Sequence, residues 1–301
     1  MRHVRRAALR IALAGLVLAA SGLPAGSRAA PSGSAPTAAA QQRRIEAAVV
    51  HMAPRVPGTT NVFFLGFAGY GEQRVFRKEA ELARSVFAER FGSGSRSLEL
   101  VNDVHDRHSY PLATLENLRF ALERIAARMD RSTDVLVVLI TSHGSREDGI
   151  AVTNGRLVDD ALSPRDLRAA LDDAGIRWRV VVASACYAGI FIAPLKTDST
   201  LIMTAADSRH SSFGCADDRD LTYFGEALFK DALPRSCSLE EAFTSARGII
   251  RARETEEGEI HSNPQLYVGA RMRAKLHSFA LGHTCSAALG TAGGGPLAFN
   301  R

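Results

Sequence analysis

The chain has 301 residues, 46% of them hydrophobic and 23% charged, with a formal net charge of +5. That hydrophobic share excludes a disordered chain, and the length allows one large domain with a substantial core. The positive excess does not mark a polyanion-binding surface, because Arg2, Arg5, Arg6, Arg10 and Arg28 all fall within the first 29 residues, where there is no acid.

Those 29 residues read as a secretory signal: basic "MRHVRRAALR", apolar "IALAGLVLAASGL", and small residues ending "SRA", with cleavage expected after Ala29. The apolar run is too short for an ordinary membrane span, and no Cys follows it to accept a lipid. An exported protein is expected, periplasmic or secreted, with no stable membrane insertion after signal cleavage and no nucleic-acid partner. Its oligomeric state stays open. Residues 30–60 are expected to hold a small-residue linker, "APSGSAPTAAAQQ" from Ala30 to Gln42, and a short amphipathic helix near Arg43 to Met52. The folded domain is expected over 61–270, with 271–301 as an extension and flexible tail.

Within the domain, strand-like apolar runs near Val62 to Phe67, Leu98 to Asn102, Val135 to Ile140, Trp178 to Ala183 and Thr200 to Ala205 alternate with helical patterns. The helices are expected near Val75 to Phe91, Leu112 to Met129 and Ser163 to Ala174, the last opened by Ser163-Pro164 and stopped by Gly175. Two more, near Thr222 to Ala232 and Leu239 to Arg253, precede a last strand near Gln265 to Val268. This alternation predicts an α/β fold, a mostly parallel sheet with helices on both faces.

Two of these strands end on reactive side chains. "DVLVVLITSHGS", Asp134 to Ser145, stops its buried run at His143, and "WRVVVASACYAGIF", Trp178 to Phe191, stops at Cys186. A lone histidine is more often a polar loop residue, and a lone cysteine a small buried hydrophobe. Consecutive buried strands ending in His and Cys are different, because neighbouring parallel strands finish at one edge of the sheet, where catalytic groups gather. A thiolate is the nucleophile, and a nearby imidazole helps form it. The backbone amides of Gly144 and Cys186 are natural oxyanion donors for acyl transfer. Export also permits disulfides, and Cys237 and Cys285, both in polar surroundings late in the chain, are the expected pair. Cys215 is then free or buried.

An apolar strand ending in His-Gly, followed by one ending in Ala-Cys, resembles the caspase-like cysteine peptidases. "TAADSRHSSFGCADDRDLTYFGEALF", Thr204 to Phe229, and "SNPQLYVG", Ser262 to Gly269, resemble the legumain-type branch in its bacterial, secreted form. The resemblance covers roughly Asn61 to Ala270. It implies a three-layer α/β/α sandwich of caspase-hemoglobinase type, His143 as general base or acid, Cys186 as the nucleophile that forms a thioester, a peptide or protein substrate, and no metal or organic cofactor. It also implies a pocket for the residue before the cut, built from Arg77, Ser212 of the Ser211-Ser212 pair, and Glu226, and suited to an Asn side chain. Tyr187 stands where legumain has a glutamate, so relaxed selectivity is expected. The asparagine that helps orient the catalytic histidine in legumain is matched here by Val75, which leaves that role without an evident holder.

Other readings compete. "GFAGYG", Gly66 to Gly71, follows the first strand, but its spacing is not that of a dinucleotide loop. Asp103, His105, Asp106 and His108 crowd one loop and would share a metal only if that loop turned helically. A catalytically silent binding domain keeps the same fold, and a transpeptidase uses the same dyad.

Overall fold

A computed structural model describes residues 36–216 and 218–277. The expected signal, most of the expected tail and Cys285 lie outside the described residues. In chain order the elements are α1 (Ala38–Val50), β1 (Val62–Ala68), α2 (Arg74–Phe91), β2 (Ser97–Val101), α3 (Leu115–Ala126), β3 (Val135–Thr141), β4 (Gly144–Ser145), β5 (Gly149–Thr153) and β6 (Asp159–Leu162). There follow α4 (Pro164–Asp173), β7 (Trp178–Ser184), α5 (Ile192–Leu195), β8 (Thr200–Thr204), the short α6 (Tyr223–Gly225) running into a π-helical stretch Glu226–Ala232, α7 (Leu239–Glu257), β9 (Gln265–Val268) and α8 (Ala270–His277). Among the described residues no helix is long and apolar enough to cross a membrane.

Six strands form one sheet in the order β2-β1-β3-β7-β8-β9. All neighbours are parallel except β9, which runs antiparallel to β8. Every residue of β1 and β3 is buried, as expected for central parallel strands covered on both faces. On one face, Leu118, Leu122 and Ile125 of α3 and Leu167 and Leu171 of α4 pack on Leu136, Val138 and Ile140. On the other, Phe76 and Phe87 of α2 and Phe243 of α7 pack on Val137 and Leu139. Each such side chain contributes roughly 1.5–3 kcal/mol on leaving water, so the central strands are fixed from both sides. Their carboxyl ends become a rigid edge on which to mount a site.

Three expectations need correction. The segment Ala30 to Gln42 is not linker throughout: α1 begins at Ala38, capped by the Thr37 side chain, and Gln41 is buried. The domain also starts before Asn61, because Ile45, Val49 and Met52 join the core beside α3. Only three large apolar residues mark that contact, too few for the composition-based boundary to register. At the other end, residues 270–277 form α8, with Met272 fully buried, so the expected extension is folded there. A three-stranded antiparallel sheet, β4-β5-β6, directly follows His143. Its strands are of 2, 5 and 4 residues, too short for a period to show in sequence.

Candidate active site

β3 and β7 are adjacent, and Thr141 lies opposite Ser184. The Ser142 amide donates to the Ser184 carbonyl at 3.3 Å, so the pairing persists one residue past the strands. His143 and Cys186 each come two residues after that last register pair, at the same level of the same edge. Gly144 tightens the junction: a Cβ built there would lie 2.3 Å from the Cys186 carbonyl oxygen and 3.1 Å from Ala185 Cβ. Only glycine lets the two segments abut this closely.

Cys186 is held by the loop that follows β8. The Ser212 amide donates to its sulfur at 3.3 Å, the Ser212 hydroxyl lies 3.7 Å away, and the thiol faces the Ser212 carbonyl at 3.4 Å. Tyr187, next in sequence, has φ 57, a left-handed conformation rare for a bulky side chain. Its amide donates to the His210 carbonyl at 3.0 Å, its hydroxyl accepts from Ser211 at 3.2 Å, and its ring lies under Arg146. The turn that presents the sulfur is thereby over-determined, the condition under which backbone strain persists at a functional site.

His143 is oriented by a residue that sequence matching missed. Gln73 Oε1 lies 2.6 Å from His143 Nε2. An amide oxygen only accepts, so Nε2 carries the proton and the neutral ring has its lone pair on Nδ1. The edges of Tyr70 and Phe76 box the ring at centroid distances of 4.6 and 5.1 Å. Gln73 is the N-cap residue of α2 and makes no side-chain capping bond. Its side chain serves the histidine instead. The matching position is thus two residues before Val75, and a glutamine where Ser, Thr, Asp or Asn usually caps a helix was the available signal.

Beneath the two strand ends lies Glu79, fully buried in α2. The Thr222 hydroxyl donates to Glu79 Oε2 at 2.5 Å, and Ser184 Oγ lies 3.3 Å from Thr222 Oγ1. Burial pushes the Glu79 carboxyl up, opposed by the hydroxyls of Ser184, Thr222 and Thr141. A glutamate on the buried stripe Phe76, Ala80, Ala83, Phe87 was visible in sequence as a breach of helix patterning. Cys215 is also close to this region: its thiol is pushed up to about 12, mainly by burial, with the charges of Cys186 and Glu79 adding to the shift. Cys186 and Cys215 are free thiols. Cys237 is disulfide-bonded, while Cys285, its expected partner, lies outside the described residues.

The expected specificity residues divide. Tyr187, Ser211 and Ser212 gather around Cys186. Arg77 instead donates to Glu81 at 2.8 Å and to Asp103 and Asp106 at 3.0 Å each, with Tyr110 under its guanidinium. Glu226 is taken by Arg253 at 2.9 Å, Lys230 at 3.0 Å and Arg219 at 3.2 Å. Among the described residues no hydrogen bond or ion pair joins Arg77 to Ser212 or Glu226. The same pairs account for the crowded acidic loop, since Asp103 and Asp106 serve Arg77, and His105 and His108 contribute backbone amides to those carboxylates. In "GFAGYG", the amides of Gly69 and Gly71 donate to the carbonyls of Thr141 and Thr153 and so do not form a phosphate cradle.

Residues 123–275, just over half of the chain, match the model of the Peptidase C13 family. The chain belongs to that family. The matched region runs from α3 to α8 and contains both His143 and Cys186, and it supports a cysteine endopeptidase type of function for this C13 chain. Among solved structures, the chain is similar to caspase-1 from Spodoptera frugiperda, at 13% identity and a TM-score of 0.49, over 72% of this chain and 94% of that one. No curated protein matches it.

Proposed function

We propose that this C13 protein is an exported endopeptidase that cuts peptide bonds through Cys186, His143 and a thioester. The observation that supports it most is the placement of His143 and Cys186 at matching positions beyond paired strands, with Gln73 fixing the proton on Nε2. Nδ1 then takes the thiol proton of Cys186, and the thiolate attacks the scissile carbonyl carbon. The resulting oxyanion is met by the amides of Gly144 and Cys186. As the C–N bond breaks, the imidazolium returns its proton to the leaving amine, and the acyl group stays on sulfur. Water, deprotonated by the same imidazole, attacks the thioester and restores the thiol. Gln73 Oε1 accepts from Nε2 throughout and stabilises the ring while it is positively charged.

The family resemblance favours Asn before the cut, with relaxed selectivity because Tyr187 is not an acid. A peptide library cleaved by the purified protein and by Cys186→Ala and His143→Ala tests the reading. Cleavage confined to the parent protein supports it, and equal cleavage by Cys186→Ala refutes it.

A further inference from the structure

Glu72, Arg74, Lys78, His105 and Arg219 line one open cleft beside the site just described. Its basic side chains are under-compensated. Arg74 opens α2, where the helix dipole disfavours a cation, and no acid stands in the first turn to relieve it. Among the described residues the Arg74 side chain has no hydrogen-bond or ion-pair partner. Arg219 shares the single carboxylate of Glu226 with Lys230 and Arg253. Lys78 meets Asp220 in an exposed pair that solvent screens. Glu72, the acid of the lining, is committed to the Thr153 hydroxyl at 2.6 Å and the Gly155 amide at 2.7 Å.

The cleft is tied to both halves of the dyad. Glu72 and Arg74 flank Gln73, whose side chain holds His143. Arg219 lies on the loop whose earlier residue Ser212 touches the Cys186 sulfur. We infer that this cleft binds a carboxylate side chain of the peptide substrate, within three residues of the scissile bond, and that Arg74 is its principal partner. The inference rests on the peptidase reading and adds a second requirement to whatever residue precedes the cut. A planar guanidinium suits a carboxylate in a two-point geometry that neither Asn nor Gln reproduces with charge.

The test is a positional-scanning peptide library at low ionic strength, run on the purified protein and on Arg74→Gln and Arg74→Glu. The expected result is selection of Asp or Glu over Asn or Gln at one position within three residues of the cut, other than the position that directly precedes it. The ratio of kcat/KM for the acidic over the amide peptide should fall at least about tenfold in Arg74→Gln, as expected for a lost charge-assisted bond. In Arg74→Glu the same position should turn to Lys or Arg, and an acid is welcome at a helix start, so unfolding does not account for the reversal. Cleavage without acidic selection at any of these positions, or selection that both variants leave unchanged, overturns the inference. A parent protein that cleaves nothing and whose Cys186 is not labelled by iodoacetamide refutes the peptidase reading and removes this inference with it.

Discussion

Gln73 and His143 are 70 residues apart in sequence and 2.6 Å apart at their side-chain tips. Helix α2 gives up a side-chain cap so that the imidazole keeps one tautomer and one orientation. Gln73→Ala should therefore lower kcat by about 10- to 100-fold with little change in KM, as for other losses of catalytic positioning. Gln73→Glu should behave differently. A carboxylate beside Nε2 favours the imidazolium, so the acidic limb of the pH profile should move to higher pH. Steady-state kinetics across pH would separate these cases, and an unchanged profile in both variants would remove Gln73 from the mechanism.

Gly144 should tolerate no side chain. A methyl group there would sit 2.3 Å from the Cys186 carbonyl oxygen, which is backbone and yields only if the turn at Cys186 shifts. Gly144→Ala is expected to lose at least about 100-fold in kcat/KM, the scale of a displaced reacting group, while still folding cooperatively. Activity near that of the parent would show that the two strand ends are more loosely joined than this contact requires.

The two free thiols should react at different rates. Cys215 is pushed up to about 12, chiefly by burial, so it is almost wholly protonated at neutral pH. Cys186 lies at the open strand edge beside the Ser212 amide. Brief iodoacetamide treatment followed by peptide mapping should find Cys186 modified well before Cys215. Faster labelling of Cys215 would point to a different nucleophile.

Glu99 gives a stability prediction remote from the chemistry. It is buried in β2, 2.9 Å from Arg84, yet its carboxyl is pushed up to about 7 because burial outweighs the ion pair. A folded-state pKa raised above the unfolded value near 4.5 contributes stability below that value and loses it as pH rises through about 7. The loss should approach roughly 3 kcal/mol by pH 8. Thermal unfolding of Glu99→Gln should thus improve relative to the parent between pH 5 and pH 8. Parallel curves would mean that Glu99 is charged throughout.

The sheet was legible because its strands are apolar on both faces: Val135 to Ile140 and Trp178 to Ala183 match β3 and β7 to within one residue. The meeting of His143 and Cys186 at one sheet edge was legible for the same reason, since each strand visibly stops at a reactive side chain. What could not be read were relations that depend on loop path. Gln73 reaches His143 through a turn whose length no ungapped match preserves. Arg77 turned toward Asp103 and Asp106 because that loop folds over α2, which no local pattern encodes. Strands β4 to β6 fell below the length at which alternation carries information, and the first turn of α1 was taken for linker because of its alanine-rich composition.

The decisive measurement is single-turnover cleavage of a library-selected peptide by the parent protein and by Cys186→Ala, with intact-mass analysis of the quenched reaction. The predicted result is a transient acyl adduct mapped to Cys186 in the parent, and neither adduct nor cleavage in a Cys186→Ala protein whose thermal unfolding is nearly unchanged, because a small strand-end side chain leaves little cavity. Parent-like turnover by Cys186→Ala, or an adduct mapped to Cys215, would contradict the assignment of Cys186 as the nucleophile.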